Sequence, residues 1–139
     1  MTFRRVGSSY MVRLFKGEEK IDTLKGFLRK YGITAGTVSG IGATDDVTIG
    51  YFDPEKKEYQ KKTFQGDFEI LNLSGNVTML DGEPLLHLHI LLGDREYRVS
   101  GGHLFSANVS VTCEVFVKGL DTIIHREMDP ETGLNLMKL

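Results

Sequence analysis

Two histidines one residue apart, in Leu85-Leu86-His87-Leu88-His89-Ile90-Leu91-Leu92, are the chain's most specific chemical signal. On a strand, alternate side chains share a face, so His87 and His89 project together with α-carbons about 7 Å apart. Leu86, Leu88, Ile90 and Leu92 occupy the opposite face and would hold the strand rigid. Two neutral imidazoles converging in this way are a common start to a zinc or other transition-metal site. A third imidazole follows in Gly101-Gly102-His103. A strand returning antiparallel through Arg95–Ser100 would bring His103 beside the pair, with the two glycines permitting close backbone approach. Three histidines with an open fourth position is the arrangement of catalytic zinc. The competing reading makes the histidines hydrogen-bonded core residues, although burying two of them unpaired on one face is costly. His125, in Ile123-Ile124-His125-Arg126, stands apart from this set.

Glu69 is the carboxylate to watch. Strict alternation puts it on one face with Leu71 and Leu73, where an apolar pocket would raise its pKa towards that of a general base. A Glu paired with Arg or a backbone amide is the alternative. Other chemistry is excluded by pattern. Gly40-Ile41-Gly42 lacks the third glycine of a dinucleotide loop. Gly36-Thr37-Val38-Ser39-Gly40 is not the G-x-S-x-G of a nucleophile elbow. Cys113 lies among alternating valines and reads as an inert core thiol.

The elements that must position these residues are mostly strands. Thr34–Ile41, Val47–Phe52, Glu58–Phe64, Phe68–Met79 and Leu85–Leu92 favour strand by their β-branched and aromatic content. Val109, Val111, Cys113, Val115 and Val117 alternate with Ser110, Thr112, Glu114 and Phe116, which predicts one apolar face. Glu55-Lys56-Lys57-Glu58 reads as a solvated hairpin turn. A single helix is predicted, over Glu18–Tyr31. Its stripe of Ile21, Leu24, Phe27, Leu28 and Tyr31 has helical period, its charges suit the macrodipole, and Gly32 supplies a left-handed stop. One helix cannot cover both faces of such a sheet. Either the sheet curls into a barrel-like sandwich, or further copies of the chain cover the remaining face. Apolar residues on both sides of Phe68–Leu73 favour an oligomer.

The 139 residues suit a single domain, 1–139. With 17 basic and 19 acidic side chains the net charge is −2, which argues against a bare nucleic-acid binder. A single cysteine excludes an internal disulfide and any zinc finger needing two thiolates, and it suits a reducing compartment. Arg4, Arg5 and Arg13 interrupt the N-terminal apolar residues, so neither a signal peptide nor a spanning helix is expected. The expectation is a cytoplasmic protein without membrane contact.

The segments Gly32–Ala43, Gly50-Tyr51-Phe52-Asp53, Phe68–Asn76, His87-Leu88-His89, Gly101-Gly102-His103-Leu104 and Asp129–Leu134 occur in that order through most of the chain. In these segments it resembles the PPC domain family (plants-and-prokaryotes-conserved). The resemblance implies an α/β (α+β) domain: a mostly antiparallel curved sheet with one principal helix, assembling as a homotrimer. It also implies a divalent metal, with zinc the first choice, at His87, His89 and His103. In plants the domain stands behind an AT-hook in nuclear DNA-binding proteins. This chain has no Arg-Gly-Arg-Pro hook, so DNA binding does not carry over. Two functional expectations result. One is a trimeric metal-binding protein acting on a small-molecule ligand, with Glu69 available to move a proton. The other is a DNA- or protein-binding assembly module whose metal is structural or absent.

Overall fold

The computed structural model describes residues 1–139. Its helix, α1 (Lys20–Tyr31), begins where Glu19 adopts an extended backbone and its side chain accepts from the Asp22 amide. It ends at Gly32, whose φ of 64° lets the chain turn left-handed and donate back to Arg29 and Leu28. The predicted stripe is the buried one: Ile21, Leu24, Phe27 and Leu28 enter the core.

Eight strands accompany it: β1 (Thr2–Val6), β2 (Ser9–Phe15), β3 (Gly36–Asp53), β4 (Glu58–Leu80), β5 (Glu83–Gly93), β6 (Val99–Gly119), β7 (Arg126–Met128) and β8 (Asn135–Met137). The main sheet runs β1-β2-β6-β3-β4-β5, with β5 also pairing to β6. Strands β3, β4, β5 and β6 therefore close a ring of antiparallel pairings, and the β1–β2 hairpin extends from β6. Closure explains how one helix suffices: the curled sheet wraps the apolar side chains of β3–β6 around a shared core. One contiguous cluster of 24 buried residues results, with α1 packed on β5 and β6.

The long strand β6 is shared along one edge. Val99–His103 pair with β5, and Thr112–Lys118 pair with β2. Between those stretches the start of α1 satisfies the ladder. The Val109 amide donates to the Glu18 carbonyl, its own carbonyl accepts from Gly17, and the Ala107 amide donates to the Glu19 carboxylate. These bonds give Val109 and the Ala107 amide partners where the ladder changes hands.

The strands are longer than the sequence suggests. Gly36–Ile41, the greater part of Thr34–Ile41, and Val47–Phe52 belong to one strand, β3, and Glu58–Phe64 and Phe68–Met79 are parts of β4. Bulges bend these strands without ending them, between Gly40 and Gly42 and between Thr44 and Asp46. The even apolar face predicted for β6 also breaks. Thr44 pairs with Val109 and Gly42 with Cys113, so Ser110–Thr112 bulge opposite Ala43 and Val111 is 70% exposed. The terminal hairpins β1–β2 and β7–β8 were not foreseen, because their charged, short runs lack clean alternation. No helix is long and apolar enough to cross a membrane.

Candidate metal centre

His89 and His103 are direct cross-strand partners in the β5–β6 ladder, and His87 lies two residues along β5 on the same face. Leu86, Leu88, Ile90 and Leu92 are buried on the other face, which locks the strand's rotation. The glycines before His103 allow tight sheet closure. A Cβ on Gly101 would meet the Ile90 carbonyl oxygen at 2.6 Å, and one on Gly102 would meet that of Gly50 at 2.7 Å. The three rings have centroid separations of 5.1–5.5 Å, and one ligand nitrogen from each lies within 4.8 Å of the others. Nitrogens sharing a tetrahedral ion at about 2.0–2.1 Å stand roughly 3.4 Å apart, so modest ring rotation brings them into place.

An aromatic shelf backs the cluster. Tyr59 and Phe105 each pack 4.9 Å from the His103 ring, and they meet each other edge to face. Gly50, opposite His103 in the β3–β6 ladder, makes room for both: a Cβ there would strike the Phe105 and Tyr59 rings.

The electrostatics keep His87 and His103 neutral. Burial, then the neighbouring histidines His87 and His89, then Lys61 and Arg126, push His103 down to about 4. His87 is lowered by burial, by Arg126 and by His89. A metal requires the neutral ring as ligand. The Nδ1 of His103 is buried without a hydrogen-bond partner. A donor set of three imidazoles, one with an orphaned nitrogen, fits a borderline transition metal such as zinc and not a hard oxygen-seeking cation.

Arg126, at the start of β7, joins the C-terminal hairpin to this cluster. Its guanidinium donates to Thr78 Oγ1 at 2.7 Å, Asn76 Oδ1 at 2.8 Å and the Asn135 carbonyl at 2.7 Å, and it stands 3.3 Å from His87 Nδ1. A cavity of about 290 Å³ opens beside the cluster, with His87, His103, Tyr59, Arg126 and Lys25 in its lining. Arg126, Tyr59 and Lys25 had no sequence signal. They lie on separate elements far along the chain, and no local pattern links them to the histidines.

The other sequence candidates lie elsewhere. Glu69 is exposed, paired with Ala43 and Gly93, and Gly93 is four residues from His89, about 13 Å along the strand. The partial burial expected for Glu69 is corrected: the side chain is exposed. A bulge between Ile70 and Asn72 breaks the alternation, so Leu71 turns outward while Ile70 and Leu73 are buried. His125 is exposed and outside the cluster. Cys113 is fully buried, and burial pushes its thiol up to about 11, away from any nucleophilic role.

Similar folds and sequences are known. A metal-containing protein from Archaeoglobus fulgidus is 45% identical and superposes with a TM-score of 0.90, covering 100% of this chain and 99% of its own. A candidate DNA-binding protein from Bacteroides thetaiotaomicron is 34% identical with a TM-score of 0.95, covering 99% and 96%. The bifunctional protein GlmU of a Synechococcus strain is 32% identical over 127 residues, which is 89% of this chain; the chain spans only 19% of that relative's length. The model of the Plants and Prokaryotes Conserved (PCC) domain matches residues 1–121. With the ringed antiparallel sheet, the single helix and the histidines on β5 and β6 in place, the chain belongs to the Plants and Prokaryotes Conserved domain family.

Proposed function

We propose that this chain is a metal-binding protein holding one divalent ion, zinc first, on His87, His89 and His103, and acting on a small molecule. The observation that carries the reading is the convergence of three imidazoles, with one nitrogen of each within 4.8 Å of the others, on a cluster where His103 Nδ1 is buried and unpartnered. The Archaeoglobus relative is itself described as metal-containing, which supports it. When bound, such an ion polarises a carbonyl or a water at its open position. The chain's own residues supply the rest. Tyr59 keeps its hydroxyl proton, because burial raises its pKa, and can donate a hydrogen bond into the cavity. Leu86, Leu104 and Phe105 restrict water in the same cavity.

The proposal includes a homotrimeric, cytoplasmic protein. Self-association is supported by Ile41, Leu71, Val111 and Phe116, which are between 49% and 70% exposed, more apolar surface than solvation requires. Elemental analysis of tag-free protein tests the metal site. About one zinc per chain is expected, lost in a His87→Ala/His89→Ala double variant. No metal even after reconstitution overturns it.

A second reading, an assembly module that binds DNA or protein, draws on the description of the Bacteroides relative as a candidate DNA-binding protein. Affinity for DNA that falls steeply with salt would favour it, and a flat salt response would reject it.

A further inference from the structure

We infer that the cavity beside the three histidines receives a small organic carboxylate, whose charge is anchored by Arg126 and supported by Lys25. This deepens the reading of the histidine site by naming its ligand class, and it takes from that reading the position of the site.

The first argument is uncompensated charge. Arg126 is half-buried, yet every partner of its guanidinium is neutral: a threonine hydroxyl, an asparagine amide oxygen, a backbone carbonyl and an imidazole nitrogen. None of the chain's ion pairs includes it. Withdrawing a cation from water without a counter-charge is costly, so a half-buried, fully positioned arginine with no carboxylate partner implies an anion from outside the chain. Four of its N–H groups have partners, and a guanidinium carries five. One N–H, on Nη1, remains for a ligand.

The second argument is the cavity itself. Lys25 and Arg126 line it, and no Asp or Glu does. Lys61 adds to the positive field on the His103 side, with its Nζ 3.9 Å from the centroid of the Phe105 ring. A divalent ion on three neutral imidazoles would add two positive charges that no protein ligand cancels. An anion held in the cavity beside them would complete the charge balance.

The third argument selects the anion. Eight of the thirteen lining residues are hydrophobic, and the volume of about 290 Å³ lies at the small end for ligand sites. One free N–H and a neighbouring ammonium match a singly charged carboxylate with a short apolar chain. A phosphate would bring more acceptors and more charge than these donors can satisfy. Arg126 also lies beyond residues 1–121, the span that matches the family model, so the anchor comes from a part of the chain outside it.

The test is calorimetric titration of sodium butyrate into zinc-loaded and metal-free protein, with zinc content measured on the same samples. Saturable butyrate binding is expected, weakened about tenfold or more by Arg126→Met and several-fold by Lys25→Met, with Arg126→Lys intermediate. Butyramide, the neutral analogue, should bind about tenfold more weakly than butyrate. Lys25 makes no side-chain hydrogen bond, so its variant serves even if Arg126→Met fails to fold. The inference is overturned if butyramide matches butyrate, if inorganic phosphate binds more tightly, if neither form shows saturable binding, or if the folded variants all bind as the parent does. Arg126-dependent butyrate binding to a chain that takes up no zinc would remove the metal and keep the carboxylate site. Stoichiometric zinc with butyrate binding indifferent to Arg126 and Lys25 would do the reverse.

Discussion

Arg126 Nη2 stands 3.3 Å from Nδ1 of His87, and this contact sets the tautomer of a candidate metal ligand. A guanidinium only donates, so Nδ1 is the acceptor and the neutral ring carries its proton on Nε2. A metal taking either nitrogen must displace the hydrogen bond or the proton. Arg126 thus competes with the metal at close range, both through its hydrogen bond and through its charge. Arg126→Met is expected to keep zinc at about one per chain and to tighten its binding several-fold. Competition with a chromophoric chelator measures this, and weaker zinc binding in the variant would mean that Arg126 supports the site instead.

Gly102 is where sheet closure and the site meet. A Cβ there would collide with the Gly50 carbonyl, and Gly50 is the cross-strand partner of His103. Gly102→Ala is expected to cost about 1–3 kcal/mol and to lower zinc occupancy by shifting His103. Gly26, on α1, has open space around its Cβ position. Gly26→Ala should stabilise by up to about 1 kcal/mol and leave zinc unchanged. Urea unfolding and metal analysis of the two variants check the contrast, and equal behaviour would refute it.

Lys20 is the one fully buried charged side chain of the core, with its Nζ 2.7 Å from the Asn108 carbonyl. Burial pulls its pKa from 10.5 down to about 8, with Cys113, Glu19 and Asp45 opposing the shift. Between those values the unfolded chain holds a proton that the folded chain has released. Stability therefore rises with pH from about 8 to 10.5, by on the order of 3 kcal/mol from this group. Cys113, raised to about 11, works the other way above 9 and is coupled to Lys20, so the comparison is made below that pH. The stability difference between the parent and Lys20→Met, followed by denaturant unfolding from pH 7 to 9, should grow in favour of the parent. A difference flat in pH would show Lys20 titrating normally.

Glu69 is exposed and far along the strand from the histidines. Glu69→Gln is expected to change stability by less than about 0.5 kcal/mol and to leave zinc content intact. A large loss of either would return this residue to the site.

Much of this molecule was legible locally. The helical stripe, its Gly32 stop, the strand-rich remainder and the shared face of His87 and His89 all follow from periods of 3.6 and 2, which neighbours in sequence determine. Family membership was legible too, because its segments run in order along the chain. The position of Glu69 was misread for the same reason that the rest succeeded: alternation holds until a bulge shifts it, and bulges depend on what lies across the ladder.

Only the tertiary structure decided what surrounds the histidines. Their pairing across β5 and β6 needed the sheet to curl until β5 met β6, a closure set by bends in long strands and by glycines whose neighbours are remote in sequence. Arg126, Tyr59 and Lys25 reach the cavity from β7, β4 and α1. Neutral partners around a guanidinium, and the absence of a carboxylate from a cavity wall, are properties of three-dimensional neighbourhood. The chain's net charge of −2 gives no hint of the positive site it encloses. Composition sums charge over the whole surface, whereas folding gathers a few cations in one place and leaves the acids elsewhere.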